Sequence, residues 1–128
     1  MASIKALQPG SVRINPAEFL AALITCETFT DQCARHYTLL HLDNMVALQW
    51  MRAARCPIHP FDRCAQAVHL HLLKHAMKVK ARWIASSDNF LADICSRVQL
   101  PCSKLGRSIA GVRLRKVAPR WTKVLQYL

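Results

Sequence analysis

The sequence predicts an α/β domain: a small mixed sheet flanked by helices, with its two clearest strands as parallel neighbours. Three observations carry this. Tyr37-Thr-Leu-Leu-His-Leu42 is short, apolar and bounded by polar residues, as a buried strand is. Lys78-Val79-Lys80-Ala81-Arg82-Trp83-Ile84 alternates charged and apolar residues, as a half-exposed strand does. Between them lie two runs with helical periodicity, and strands separated by helices favour parallel pairing. Two or three strands make a small sheet, so this one reads as part of a larger one.

The elements follow in order. Residues 1–13 are weakly patterned. Asn15-Pro16-Ala17-Glu18 predicts a helix start: Asn caps, Pro fits the first helical position, and Glu three residues after the cap completes a capping-box pattern. Phe19, Leu20, Leu23, Ile24 and Cys26 then give an apolar face to about residue 31. Asp43-Asn44 caps a helix from Met45 to about Ala54. Cys56-Pro57-Ile58-His59-Pro60 breaks the chain. A further helix places Phe61, Ala65, Val68, Leu72 and Ala76 on one stripe. Ser86-Ser87-Asp88 caps the helix that carries Asp93. The boundary between a domain over 1–100 and a basic tail over 101–128 is compositional. From Pro101 onward there are Lys104, Arg107, Arg113, Arg115, Lys116, Arg120 and Lys123 and no acid, a pattern open to a short helix, a linker or a nucleic-acid arm.

Composition narrows the function classes. An apolar share of 52% in 128 residues supports one folded domain rather than a disordered chain. No run reaches the roughly 18 apolar residues of a membrane span, and the start lacks the apolar stretch of a signal peptide. The expectation is an intracellular protein, nucleus or cytoplasm unresolved, with its six cysteines as reduced thiols. A net charge of +11 points to a polyanionic partner, with nucleic acid first.

Against that charge the seven acids stand out. Glu18 lies in the first turn of its expected helix, Asp43 ends the first strand, and Asp93 sits on the helix after the second. Each has a plainer reading: a capping-box partner, an N-cap, and an i, i+4 partner of Arg97. Together they would make a site for a hard divalent cation, which prefers oxygen ligands.

Asn15-Pro-Ala-Glu18, Leu42-Asp43-Asn44, and Arg82-Trp83-Ile84 through Asn89-Phe90-Leu91-Ala92-Asp93-Ile94-Cys95-Ser96-Arg97 resemble the ribonuclease H domain of retrotransposon reverse transcriptases, gypsy-like and DIRS-type above all. The resemblance covers about residues 13–97. Its last motif, with Trp83, Ile84, Asn89, Ala92, Asp93, Ser96 and Arg97, is the most specific. It implies a ribonuclease H-like fold and hydrolysis of the RNA strand of RNA–DNA hybrids. Two Mg²⁺ (or Mn²⁺) ions are held by carboxylates in that family, one activating water and the other stabilising the leaving oxygen. By position, Glu18, Asp43 and Asp93 are the implied catalytic and metal-ligating residues. Asn44, Arg52, Arg55, Lys80, Arg82 and Arg97 are candidates for contact with the hybrid, and a solvated face is the plain reading of the cations.

The chain also departs from the pattern. No acid precedes Glu18, whereas the family has an Asp on its first strand. The turn before Asn89 is Ala85-Ser86 rather than Pro-Gly, and no His lies between Trp83 and Asp93. The expectation is an N-terminally truncated domain that lacks its first strands. It would have weakened Mg²⁺ affinity, weak or no cleavage, and an upstream reverse transcriptase segment as a possible partner. The alternative is a non-catalytic basic remnant that binds nucleic acid by charge.

Other constellations weigh less. Cys56, His59, Cys64, His69, His71 and His75 cluster in sequence, and His71 and His75 share a helix face. The cluster has no C-x₂-C pair, so zinc ranks below core thiols and partly exposed histidines. Cys33 with His36 lacks an orienting acid for nucleophilic work. Trp83 is expected in the core, and Met45, Met51 and Met77 as core filler.

Overall fold

A computed structural model describes residues 11–89 and 116–128. Residues 1–83 together with 116–128 form one compact unit, and residues 84–115 a second. In the first unit the elements are α1 (Ser11–Thr28), α2 (Thr30–Cys33), β1 (Tyr37–Leu42), α3 (Met45–Ala53), α4 (His59–Lys74), β2 (Lys78–Trp83) and a C-terminal helix α5 (Arg120–Leu125). In the second unit, the described residues 84–89 hold a 3₁₀ turn at Ser86–Asp88. There Asp88 and Asn89 donate their backbone N–H groups to Ala85 and Ser86. No helix among the described residues is long and apolar enough to cross a membrane.

The mixed helix-and-strand class holds, and β1 and β2 pair in parallel from Tyr37 opposite Lys78 to Leu42 opposite Trp83. Among the described residues the sheet has these two strands and both run the same way, so it is parallel rather than mixed. α3 packs against both strands, and α1 packs across α3 and α4. The core lies in this helical layer: Phe19, Leu20 and Leu23 of α1, Leu48 of α3, and Phe61 and Val68 of α4 are all but inaccessible. Phe19 meets the Trp50 ring edge-on at 5.6 Å, a geometry that the ring quadrupoles favour.

α1 begins earlier than its sequence signals suggest. Asn15, Pro16 and Glu18 lie inside the helix rather than at its start. Pro16 costs the bond to the carbonyl four residues back, yet its ring is fully buried and burial offsets that loss. The Asn15 side chain has a tertiary partner instead of a capping role: its Oδ1 accepts from Asn44 Nδ2 at 3.1 Å. Asn44, not Asp43, is the N-cap of α3, with its Oδ1 accepting from the Ala47 N–H at 2.9 Å.

A left-handed residue stands two positions before each strand. Arg35 (φ 64°) precedes β1 and Ala76 (φ 51°) precedes β2. These two turns are tied together, because Arg35 donates its N–H to the His75 carbonyl and Lys78 donates to His36. Ala76 therefore turns the chain out of α4 instead of continuing its stripe, while Phe61, Ala65, Val68 and Leu72 keep theirs. α3 ends on Ala54 (φ 57°) in the same way, with Arg55 donating back to the Trp50 carbonyl. Glycine usually fills such positions, and three alanine or arginine residues fill them here.

The parallel register puts Thr38, Leu40, Leu42, Val79, Ala81 and Trp83 on one face of the sheet and Tyr37, Leu39, His41, Lys78, Lys80 and Arg82 on the other. Leu42 and Ala81 are buried, and Leu40 and Val79 pack against the core. The second set is exposed throughout. β1 is thus covered on one face, not two. A short apolar run cannot distinguish these cases, because Leu39 interrupts the polar alternation that would have revealed it. Trp83, the last residue of β2, is 53% exposed and outside the core. Met45 is 51% exposed at the first position of α3, whereas Met51 and Met77 are buried.

Residues 116–128 fold back on α1. The Trp121 ring is 2% exposed and belongs to the core, with Ala118, Val124 and Leu128 packed against that core. The Trp121 indole N–H donates to Glu27 near the end of α1, and Arg120 pairs with the same carboxylate.

Candidate metal site and basic surface

Of the expected site, Glu18 on α1 and Asp43 just past the carboxyl end of β1 are described, near enough for the charge of Asp43 to act on Glu18. Asp43 follows the last residue of the strand, and Glu18 projects from α1. The Glu18 carboxyl is pushed above its ordinary value of 4.5, first by burial and then by the negative charge of Asp43. A carboxylate held beside another in a half-buried place is costly when both are ionised, and a cation between them would remove that cost. The Asn15–Asn44 hydrogen bond links the same two elements, α1 and the residue after Asp43. It fixes how α1 meets the strand end.

The donor set is hard oxygen, which suits Mg²⁺ or Mn²⁺ and not a soft metal. Among the described residues no group of three or more His, Cys, Asp or Glu side chains gathers, so Glu18 and Asp43 stand as a pair. Asp93 and Arg97 lie outside the described residues.

The cations expected at a hybrid divide by their duties. Arg55 is held by Asp62 at 3.0 Å. Asp62 also accepts from the Cys56 N–H at 2.9 Å and from Gln66 at 3.0 Å. The Cys56 N–H, and next the Arg55 guanidinium, hold the Asp62 carboxyl below its ordinary value. Arg52 Nε donates to the Ala81 carbonyl at 3.2 Å and so satisfies an outward-facing group of β2. Arg52 and Lys80 also line a cleft of about 690 Å³ with Met51, Leu72, Met77 and Val79. Asn44 is engaged as a cap. Lys80 and Arg82 stand on the exposed sheet face beside Lys78.

The cysteine and histidine constellation dissolves into separate duties. The six side chains from Cys56 to His75 do not converge on one point. His69 Nδ1 donates to the Ala65 carbonyl, and His75 Nδ1 to His71. The His71 and His75 rings lie 4.4 Å apart. Burial, then the positive charges of His75 and Lys74, lower His71 below its ordinary value. Cys26, Cys33, Cys56 and Cys64 are free thiols. Burial, with Cys33 as the lesser cause, pushes the Cys26 thiol up to about 11, which leaves it unreactive at neutral pH. His36 turns its Nδ1 to the Ala34 carbonyl.

No family model, curated protein or solved structure matches this chain.

Proposed function

We propose that this chain is a ribonuclease H-like element of retroelement origin. In this reading Glu18 and Asp43, together with Asp93, bind Mg²⁺ or Mn²⁺ and act on the RNA strand of RNA–DNA hybrids. The observation that carries the reading is positional: Glu18 on α1 and Asp43 just past the carboxyl end of β1 stand where the resemblance expects its acids, with the Glu18 carboxyl raised first by burial and then by the charge of Asp43. Open α/β sheets place their ligands beyond the carboxyl ends of the strands, and this pair stands at such an end. The parallel pairing of β1 and β2 with helices between them is compatible with the same reading. A divalent ion held there would supply an activated water and charge neutralisation at the scissile phosphate. The protein's own part is to hold two oxygen donors rigidly on α1 and at the end of β1.

The test is cleavage of a labelled RNA–DNA hybrid by the purified chain with Mg²⁺ or Mn²⁺, and with Asp43→Asn as control. The expected result is weak, metal-dependent cleavage of the RNA strand that Asp43→Asn abolishes. Absence of any metal-dependent cleavage overturns the nuclease reading. Salt-sensitive binding without cleavage would instead support a non-catalytic nucleic-acid-binding protein, a reading favoured by the charge of +11 and the exposed Lys80 and Arg82.

A further inference from the structure

The exposed face of the β1–β2 sheet carries two parallel rows of different chemistry. Tyr37, Leu39 and His41 form the row on β1. Lys78, Lys80 and Arg82 form the row on β2, each directly opposite its β1 partner in the register. Tyr37 is 65% exposed and Leu39 47% exposed, and the other four are exposed as well. No acid lies among the six.

We propose that this face binds an extended single strand of nucleic acid, with bases laid on the Tyr37–Leu39–His41 row and phosphates along the Lys78–Lys80–Arg82 row. Three physical points lead there. Alternate residues of a strand are about 6.6 Å apart and neighbouring strands about 4.8 Å apart. The cations therefore repeat on the scale of one nucleotide, beside a row at stacking reach. Tyr and His rings offer faces on which a base can stack, and an unpaired base can reach them where a duplex keeps its bases stacked on one another. Three permanent charges with no acid among them, in a chain of net charge +11, complement a polyanion and not an acid-poor peptide. The proposal does not rest on Glu18 or Asp43. Those acids lie on α1 and beyond the end of β1, outside the six residues of this face.

The experiment is fluorescence anisotropy of the full chain with a short labelled oligothymidylate and with the corresponding duplex, in EDTA, over a range of salt. EDTA removes any contribution from a metal at Glu18 and Asp43, so failure here is distinct from failure of the nuclease reading. The single strand should bind more tightly than the duplex. Tyr37→Ala should weaken single-strand binding about tenfold or more while Tyr37→Phe retains it. Replacing Lys78, Lys80 and Arg82 together by Gln should flatten the salt dependence by about 2 in log–log slope. Circular dichroism should show the same fold in each variant, since all the altered side chains are exposed. Equal affinity for duplex and single strand, wild-type affinity in Tyr37→Ala, or an unchanged salt slope in the triple variant would each overturn the proposal.

Discussion

The two faces of one small sheet carry opposite chemistry. On one face Leu40, Leu42, Val79 and Ala81 meet the helical layer. On the other, Tyr37, Leu39, His41 and three cations meet solvent. The strands, register and backbone are common to both, so the difference is carried by side-chain alternation alone. The covered face carries stability, and the proposed single-strand binding falls to the open face. Substitutions should separate these roles.

The largest effect is expected beneath the covered face. Phe61→Ala, at a fully buried ring in α4, should lower unfolding stability by about 3–5 kcal/mol in urea titration. Trp121→Ala should cost a similar amount, since it empties a core position and also leaves Glu27 without its indole donor. A small effect at Trp121 would show that residues 116–128 are dispensable to the first unit. Removing the Asn44 side chain, which both caps α3 and holds Asn15, should cost about 1 kcal/mol through the cap alone. It should cost more if the link to α1 matters.

The open face should respond far less. Leu39→Ala is expected to change stability by no more than about 0.5 kcal/mol, although Leu39 lies in the same strand as buried Leu42. A large loss there would contradict the division of the faces. A left-handed residue other than glycine carries a penalty of about 1–2 kcal/mol. Ala76→Gly, at φ 51°, should therefore be neutral or raise thermal stability slightly, even though glycine disfavours folding elsewhere.

The pH dependence at the carboxylate pair has a definite sign. Glu18 is raised above its ordinary 4.5 in the folded chain. Its protonated form is thus favoured by folding, and that contribution is complete below 4.5 and lost as pH rises through the raised value. Glu18→Gln should flatten the fall in stability across that window, measured as Tm against pH. Asp62 runs oppositely. Its lowered carboxyl stabilises the fold above its ordinary value, and that support fades as pH falls through the folded one.

Much of this architecture was legible in the residues. The Tyr37–Leu42 and Lys78–Trp83 strands followed from length and alternation, and the α4 stripe from steps of three and four. A cap at Asp43-Asn44 followed from its place before an apolar helix, and it falls on Asn44. What failed were signals with two physical meanings. Asn15-Pro16-x-Glu18 has the chemistry of a helix start, but a tertiary bond to Asn44 and burial of the Pro16 ring carry it inside α1. The partnership of Glu27 with Trp121 could not be read, because a single tryptophan in a basic segment has no periodicity to place it. Glu18 and Asp43 were expected as ligands of one metal site from the family resemblance; the structure places Glu18 on α1 and Asp43 past the end of β1, with Glu18 raised by burial and then by the charge of Asp43. Asp93 and Arg97, expected beside them, lie outside the described residues.

The account depends most on Glu18 and Asp43 as a divalent-cation site, and calorimetric titration of the chain with Mn²⁺ tests this most directly. Saturable binding in the wild type that is lost in both Glu18→Gln and Asp43→Asn, with the fold intact by circular dichroism, is the predicted result. No saturable binding, or binding that survives in either variant, would contradict it.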